Sequence, residues 1–263
     1  MLQASINPQD EAVIDEIIQR VKSYHSRQEI KSIFYVHEDS EYGLLANPIE
    51  RIGLYIPSGR SVLVSTLIMT AIPAILAGVS EIAVTCGSAG GAVNPFILYT
   101  AKKLGIRELY KISGVQAIAA MAYGINMRKT EKIFGPGNQY VTYAKQLIQQ
   151  DGIAIDMPAG PSEVCVMADE TANAKFVAAD LLSQAEHGAD SQVLLVSTNK
   201  DLVDEINNEI NSQLKNLPRK NIAIKTLENS KAIIVKNINE AIDLVNEYAA
   251  EHLIIACENA DTV

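Results

Sequence analysis

Cysteine is scarce in this chain, with three in 263 residues, and Cys86, Cys165 and Cys257 stand far apart. That spacing suggests neither a disulfide framework nor a Cys-x-x-Cys metal site, and it leaves the expectation of buried, reduced thiols in a cytoplasmic protein. Basic residues are also in deficit: 22 Lys and Arg against 31 Asp and Glu give a net charge of −9 and a pI near 5.0. Without a basic stripe no phosphate-backbone partner is expected, so nucleic acid is set aside in favour of a small molecule. The opening residues, MLQASINPQDEAVIDE, lack the basic start and apolar core of a secretion signal. Internal repeats and low-complexity tracts are absent as well.

One long uncharged run exists, SVLVSTLIMTAIPAILAGVS at residues 61–80, and it is about long enough to cross a bilayer. Ser61, Ser65, Thr66 and Thr70 make its first half polar, Pro73 interrupts it, and neither a basic cluster nor an aromatic belt flanks it. The expectation is a helix buried between a sheet and a second domain, with no membrane partner.

What the chain does have is enough apolar content, 48%, to build real cores over one large or two ordinary domains. Short β-branched runs at 81–86, 108–112, 131–135, 152–156, 163–168, 191–197, 231–236 and 252–257 alternate with stretches of helical length at 92–105, 114–124, 138–150, 172–187 and 238–250. This alternation predicts an α/β fold with largely parallel sheets. The first fifty residues differ: an amphipathic helix is predicted over 9–24, and HEDSEYGLLANPIE at 37–50 reads as irregular and polar, an arm or an incomplete subdomain.

Glycine and proline gather in YIPSG (55–59), TCGSAGG (85–91), FGPGNQY (134–140) and PAGPSEV (158–164), each beside a strand. Glycine at such turns lets backbone approach a phosphate or sugar, and the next helix offers free N–H groups. GPGNQY is therefore a candidate cofactor turn, although neither it nor TCGSAGG has the third glycine of the dinucleotide fingerprint. As a bare pattern, ordinary turn glycines are the favoured explanation.

Of four histidines, His25 and His37 fall in the polar N-terminal arm, where a solvated role is expected. His187 lies in DLLSQAEHGAD, three residues after Gln184, a spacing that puts both on one face of a helix. Two ligand-capable groups then converge, or else the segment is a polar helix end with Gly188 as its C′ residue. His252 follows Glu251 in NEYAAEHL, where a helix meets an apolar strand. A carboxylate that positions water beside an imidazole that accepts a proton suits acid–base chemistry near neutral pH, and a helix end complementing its dipole is the other reading.

Taken together, ERIGLYIPSG (50–59), MTAIPAILAGV (69–79), GVQAIAAMAYG (114–124), FGPGNQYV (134–141), GIAIDMPAGPSEV (152–164), AADLLSQAEHGADSQ (178–192) and NEYAAEHL (246–253) make the chain resemble histidinol dehydrogenases, in order from about residue 47 onward. The resemblance implies an NAD-dependent, zinc-containing enzyme that oxidises L-histidinol through L-histidinal to L-histidine in histidine biosynthesis. It implies two Rossmann-like lobes with the active site between them: residues 1–54 plus 163–263 carrying metal, substrate and catalytic groups, and 55–162 inserted as the NAD lobe. By the same resemblance Tyr55, Gln116 and Asn138 contact NAD, Ser162 contacts substrate, and Gln184 and His187 ligate Zn²⁺ and face the substrate. His252 also touches the substrate and takes the alcohol proton, while Glu251 helps water attack the aldehyde.

Family members are homodimers. Against their pattern this chain is shorter at both ends, and the family's remaining zinc ligands, an aspartate and a histidine, correspond to positions past Val263. Gln184 and His187 alone would hold zinc weakly. Two local differences stand out: YIPSG has one glycine where the family has two, tightening the backbone at Ser58, and Ala250 replaces a proline before Glu251, loosening that corner. A related zinc- and NAD-dependent dehydrogenase of another small alcohol, or a catalytically silent nucleotide-binding homologue, would carry the same motifs.

Overall fold

The computed structural model describes residues 6–57, 63–88, 90–158, 162–188 and 191–262. The expected backbone change at Ser58 lies outside them. The chain divides into two compact units, residues 1–159 and 160–263.

The first unit begins with helix α1 (Pro8–His25), started by Asn7, whose side chain accepts the N–H of Asp10, and by Pro8 in the first turn. Strands β1 (Ile33–His37) and β2 (Ser40–Leu44) follow as an antiparallel hairpin with His37 opposite Ser40. Of the stretch 37–50, read from sequence as irregular, His37 and Ser40–Leu44 are strand while 45–50 are irregular, and all ten residues of the two strands are exposed. Strands β3 (Arg51–Ile56), β4 (Glu81–Cys86), β5 (Glu108–Lys111), β6 (Lys132–Phe134) and β7 (Ala154–Ile155) form a parallel sheet in the order β5-β4-β3-β6-β7. Helices α2 (Val64–Leu76), α3 (Pro95–Lys103), α4 (Val115–Tyr123) and α5 (Gln139–Ile148) connect successive strands. Strand β3 is buried at every position, as a central parallel strand covered on both faces must be.

Helix α2 is the core of the long uncharged run. Its 13 residues are too short to span a bilayer, and no helix among the described residues is long and apolar enough to cross a membrane. Leu67, Ala71 and Ala74 pack on the sheet with Leu54 and Val84, while Ile68 and Ile72 pack against Ile14 and Ile18 of α1. The run is thus buried between a sheet and α1, where the sequence suggested a second domain. The same contact joins residues 8–25 to the sheet of 51–155, whereas the resemblance implies that residues 1–54 go with 163–263.

The second unit holds β8 (Glu163–Ala168), β9 (Gln192–Ser197), β10 (Lys231–Ile234) and β11 (His252–Ala256), parallel and ordered β10-β9-β8-β11. Helices α6 (Ala174–Ala185), α7 (Lys200–Gln213), α8 (Lys220–Glu228) and α9 (Ile238–Tyr248) make the connections. Ala178, Leu181 and Leu182 of α6 and Leu202, Val203 and Ile206 of α7 cover one face with Val164, Val166 and Leu195. Ala241 and Val245 of α9 cover the other with Cys165, Met167 and Val196. Asparagine caps α1, α3, α5, α6, α7 and α9 through Asn7, Asn94, Asn138, Asn173, Asn199 and Asn237.

Candidate functional site

The order β5-β4-β3-β6-β7 reverses at β3: the chain winds outward from β3 through β4 to β5, then crosses back through α4 to place β6 on the other side. In open parallel sheets ligands collect in the crevice beyond the strand carboxyl ends at such a reversal. Tyr55 is near the carboxyl end of β3, Gln116 is in the first turn of α4 after β5, and Asn138 is the N-cap of α5 after β6. All three candidates for NAD therefore stand on the carboxyl edge of one sheet. Gln116 and Asn138 are exposed, whereas Tyr55 is 4% exposed. The Tyr55 hydroxyl accepts the N–H of Gly114 at 3.1 Å and shares a hydrogen bond with Ser113 Oγ at 3.1 Å. It thereby holds the turn that leads into Gln116.

The turn GPGN departs from β6 in a form only glycine tolerates. Gly135 has φ of +126°, and a Cβ there would lie 2.1 Å from the Tyr55 carbonyl oxygen. At Gly137 a Cβ would meet Val141 Cγ1 at 2.4 Å. Asn138 Oδ1 then accepts from Tyr140 N–H and Val141 N–H, both at 3.1 Å. A Gly-rich turn that brings the exposed amino end of a helix to the reversal point fits the chemistry of a dinucleotide. Farther along the same edge Gly90 and Gly91 have positive φ, and open space surrounds the position each Cβ would take.

In the second unit the other candidates gather on the opposite kind of edge. Ser162 directly precedes β8, and its carbonyl accepts the N–H of Gln192 at 3.2 Å. His252 opens β11 and pairs in register with Val164 of β8. Gln184 is in the last turn of α6, which runs back to the amino edge before β9 begins. Ser162, Gln184, His187, Glu251 and His252 thus all stand at the amino ends of parallel strands. At the carboxyl ends, the reversal between β8 and β11 is tied by Asp169. Its N–H donates to the Ala256 carbonyl at 3.3 Å, and its carboxylate accepts from Glu258 N–H at 3.1 Å.

Helix α6 ends at Ala185 with Glu186 as C-cap, so Gly188 is not its C′ residue, and His187 occupies the turn that follows. The three-residue spacing is closed by His187 N–H donating to the Gln184 carbonyl at 3.1 Å. Buried Thr226 of α8, invisible to motif reading, has its hydroxyl 2.9 Å from the Ala185 carbonyl and 2.8 Å from that of Gly188, anchoring this turn from beneath. Gln184 is half-buried and His187 exposed. Two neutral donors do not make a zinc site by themselves, and among the described residues no group of three or more His, Cys, Asp and Glu is placed to hold a metal ion.

Glu251 and His252 stand at the junction of α9 and β11, with His252 Nε2 3.9 Å from Glu251 Oε1 and both side chains more than half exposed. Their corner is set by Ala249, a C-cap at φ 49° and ψ 53° whose N–H returns to the Val245 carbonyl at 2.9 Å. A non-glycine residue pays about 1–2 kcal/mol there. Ala249→Gly should therefore raise stability by roughly 0.5–1 kcal/mol, after the added freedom of the unfolded chain is counted. Urea unfolding checks this, and an unchanged or lower midpoint would contradict it.

Burial disfavours the thiolate at all three cysteines. Cys86 and Cys165 are buried, and burial pushes each up to about 11. Cys257, expected to be buried, is half-buried, and desolvation raises it too.

The histidinol dehydrogenase family model matches residues 2–263. The chain belongs to the histidinol dehydrogenase family. It is 56% identical over 213 residues to histidinol dehydrogenase of Bacteroides thetaiotaomicron, covering 80% of this chain and 50% of that protein. To the Shewanella oneidensis histidinol dehydrogenase it is 46% identical over 257 residues, 96% of this chain and 58% of the relative. The crystal structure of histidinol dehydrogenase from Elizabethkingia anophelis superposes with a TM-score of 0.93 at 46% identity, over 98% of this chain and 60% of that one. The chain spans about half the length of the curated relatives it matches.

Proposed function

We propose that this chain carries the NAD-binding and catalytic residues of a cytoplasmic, homodimeric enzyme that oxidises L-histidinol through L-histidinal to L-histidine. The observation that supports the reading most is the grouping of Ser162, Gln184, His187, Glu251 and His252 along one edge of the β8–β11 sheet, where separate motifs meet. NAD, when bound, accepts the hydride lost from carbon in each oxidation. Asn138 and Gln116 orient it at the carboxyl edge of the β3–β7 sheet, and Tyr55 keeps the turn before Gln116 in place. His252 Nε2 takes the hydroxyl proton of the alcohol, and Glu251 orients water toward the aldehyde. Ser162 contacts the substrate. Gln184 and His187 would hold zinc only as part of a larger coordination shell, and zinc there would orient the amino alcohol.

Calorimetric titration of NAD tests the cofactor half. Wild-type chain should bind, and Asn138→Ala should bind at least fivefold more weakly while losing about 1 kcal/mol of stability as a helix cap. Equal affinities, or no wild-type binding at millimolar NAD, would remove the cofactor assignment. The metal half is read by elemental analysis: the 263-residue chain should hold well under one zinc, because two neutral ligands leave the dication's charge unbalanced. A tightly held zinc that disappears in His187→Ala would mean the shell is completed within this chain.

A further inference from the structure

We propose that Lys145 and Asp156 are positioning residues for the Gly135–Asn138 turn, locking it in the form that presents the amino end of α5 to a dinucleotide; this rests on the cofactor reading above. Lys145 lies on the buried face of α5 with Val141, Ala144 and Ile148, and is 4% exposed. An ammonium in that row is expensive to desolvate unless specific acceptors meet it. Lys145 Nζ donates to the Gly135 carbonyl at 2.8 Å and forms an ion pair with Asp156 Oδ1. The second carboxylate oxygen, Oδ2, accepts the Gly135 N–H at 2.8 Å. Both polar groups of a single residue, the one with φ of +126°, are thus closed by one ion pair.

A pair that merely filled the corner between α5 and β7 could bond to any nearby backbone. This one bonds at both ends of the residue whose conformation aims the turn. If Gly135 rotates away from its observed φ, its N–H leaves Asp156 Oδ2, its carbonyl leaves Lys145 Nζ, and the start of α5 moves with it. Holding that rotation before ligand arrives removes an ordering cost from binding.

The test compares wild type, Lys145→Met, the isosteric Asp156→Asn, and Arg51→Met, which perturbs the same sheet at its other edge. NAD affinity is measured by calorimetry, and amide hydrogen exchange is followed at Gly135, Tyr140 and Val141. Lys145→Met and Asp156→Asn should each weaken NAD at least tenfold and speed exchange at those amides at least tenfold. Arg51→Met should leave affinity within twofold. Wild-type exchange and affinity in both clamp variants would overturn the proposal, as would an equal loss in Arg51→Met, which would reduce the effect to general destabilisation. If wild type binds and Asn138→Ala weakens it while the clamp variants do not, only this inference falls. Should wild type fail to bind NAD, the cofactor reading falls and takes the inference with it.

Discussion

Replacing His252 by asparagine, in a protein that includes residues 1–263 and turns over L-histidinol, is expected to slow alcohol oxidation by roughly a hundred- to ten-thousand-fold, the range a positioned proton acceptor supplies. Glu251→Gln should instead slow the oxidation of supplied L-histidinal more than that of L-histidinol, because only the aldehyde step consumes water. The two side chains are 63% and 51% exposed and 3.9 Å apart, so as an ion pair they add little to stability. Each variant should accordingly unfold at the wild-type urea midpoint, which separates a chemical defect from a folding one. Small, equal effects on both steps would remove the pair from catalysis.

Arg51→Met is expected to destabilise the first unit by about 3 kcal/mol. The Arg51 guanidinium is 3% exposed at the amino edge of the sheet. It bonds Glu108 through two nitrogens at 2.9 and 2.7 Å and Glu81 at 2.6 Å. One residue therefore clasps the starts of β3, β4 and β5. Arg128 adds a bond to Glu81 at 2.6 Å, but from an exposed position. With Met at 51, Glu81 and Glu108 face each other with no buried cation between them.

Acid should reveal the same clasp. The Arg51 hydrogen bonds hold Glu108 down at about 2, despite opposing desolvation, with a smaller contribution from Tyr110. Glu81 is lowered by Arg128 and then by Arg51. A carboxyl group whose folded pKa is depressed stabilises the fold above its unfolded value of 4.5, and that contribution is lost as pH falls toward about 2. Wild-type unfolding free energy should decline through this window, and Arg51→Met should decline less. A loss under about 1 kcal/mol with an unchanged acid slope would show that the clasp is not needed.

Strands β4 and β8 were legible in the sequence to the residue, because parallel strands buried on both faces are written as continuous β-branched runs between turns. Helices α5, α6 and α9 were legible within a few residues at each end, for their apolar periods are marked by asparagine caps. The hairpin β1–β2 was missed although IFYVH is an apolar run, since neither of its faces is buried and no alternation marks a strand. Helices α7 and α8 escaped for a related reason: α7 is mostly polar, with Leu202, Val203 and Ile206 buried in the core and Ile210 partly buried against it.

Residue types at the candidate site were likewise present in the sequence as motifs, but their grouping was not. Strand order is a choice among many compatible with the same alternation of elements. Parallel pairing leaves Tyr55, Gln116 and Asn138 on one edge and the reversal at β3 divides that edge at a crevice, while the return of α6 and α9 gathers Gln184 and His187 with Glu251 and His252 on another. Lys145 shows the limit most plainly. In sequence it is a charge within an apolar period, a hint that a partner exists; Asp156, eleven residues on, is identified as that partner only when β7 closes beside β6. Local patterns record which side chains must leave water, whereas the partner that compensates a buried charge is selected by long-range packing that no local pattern encodes.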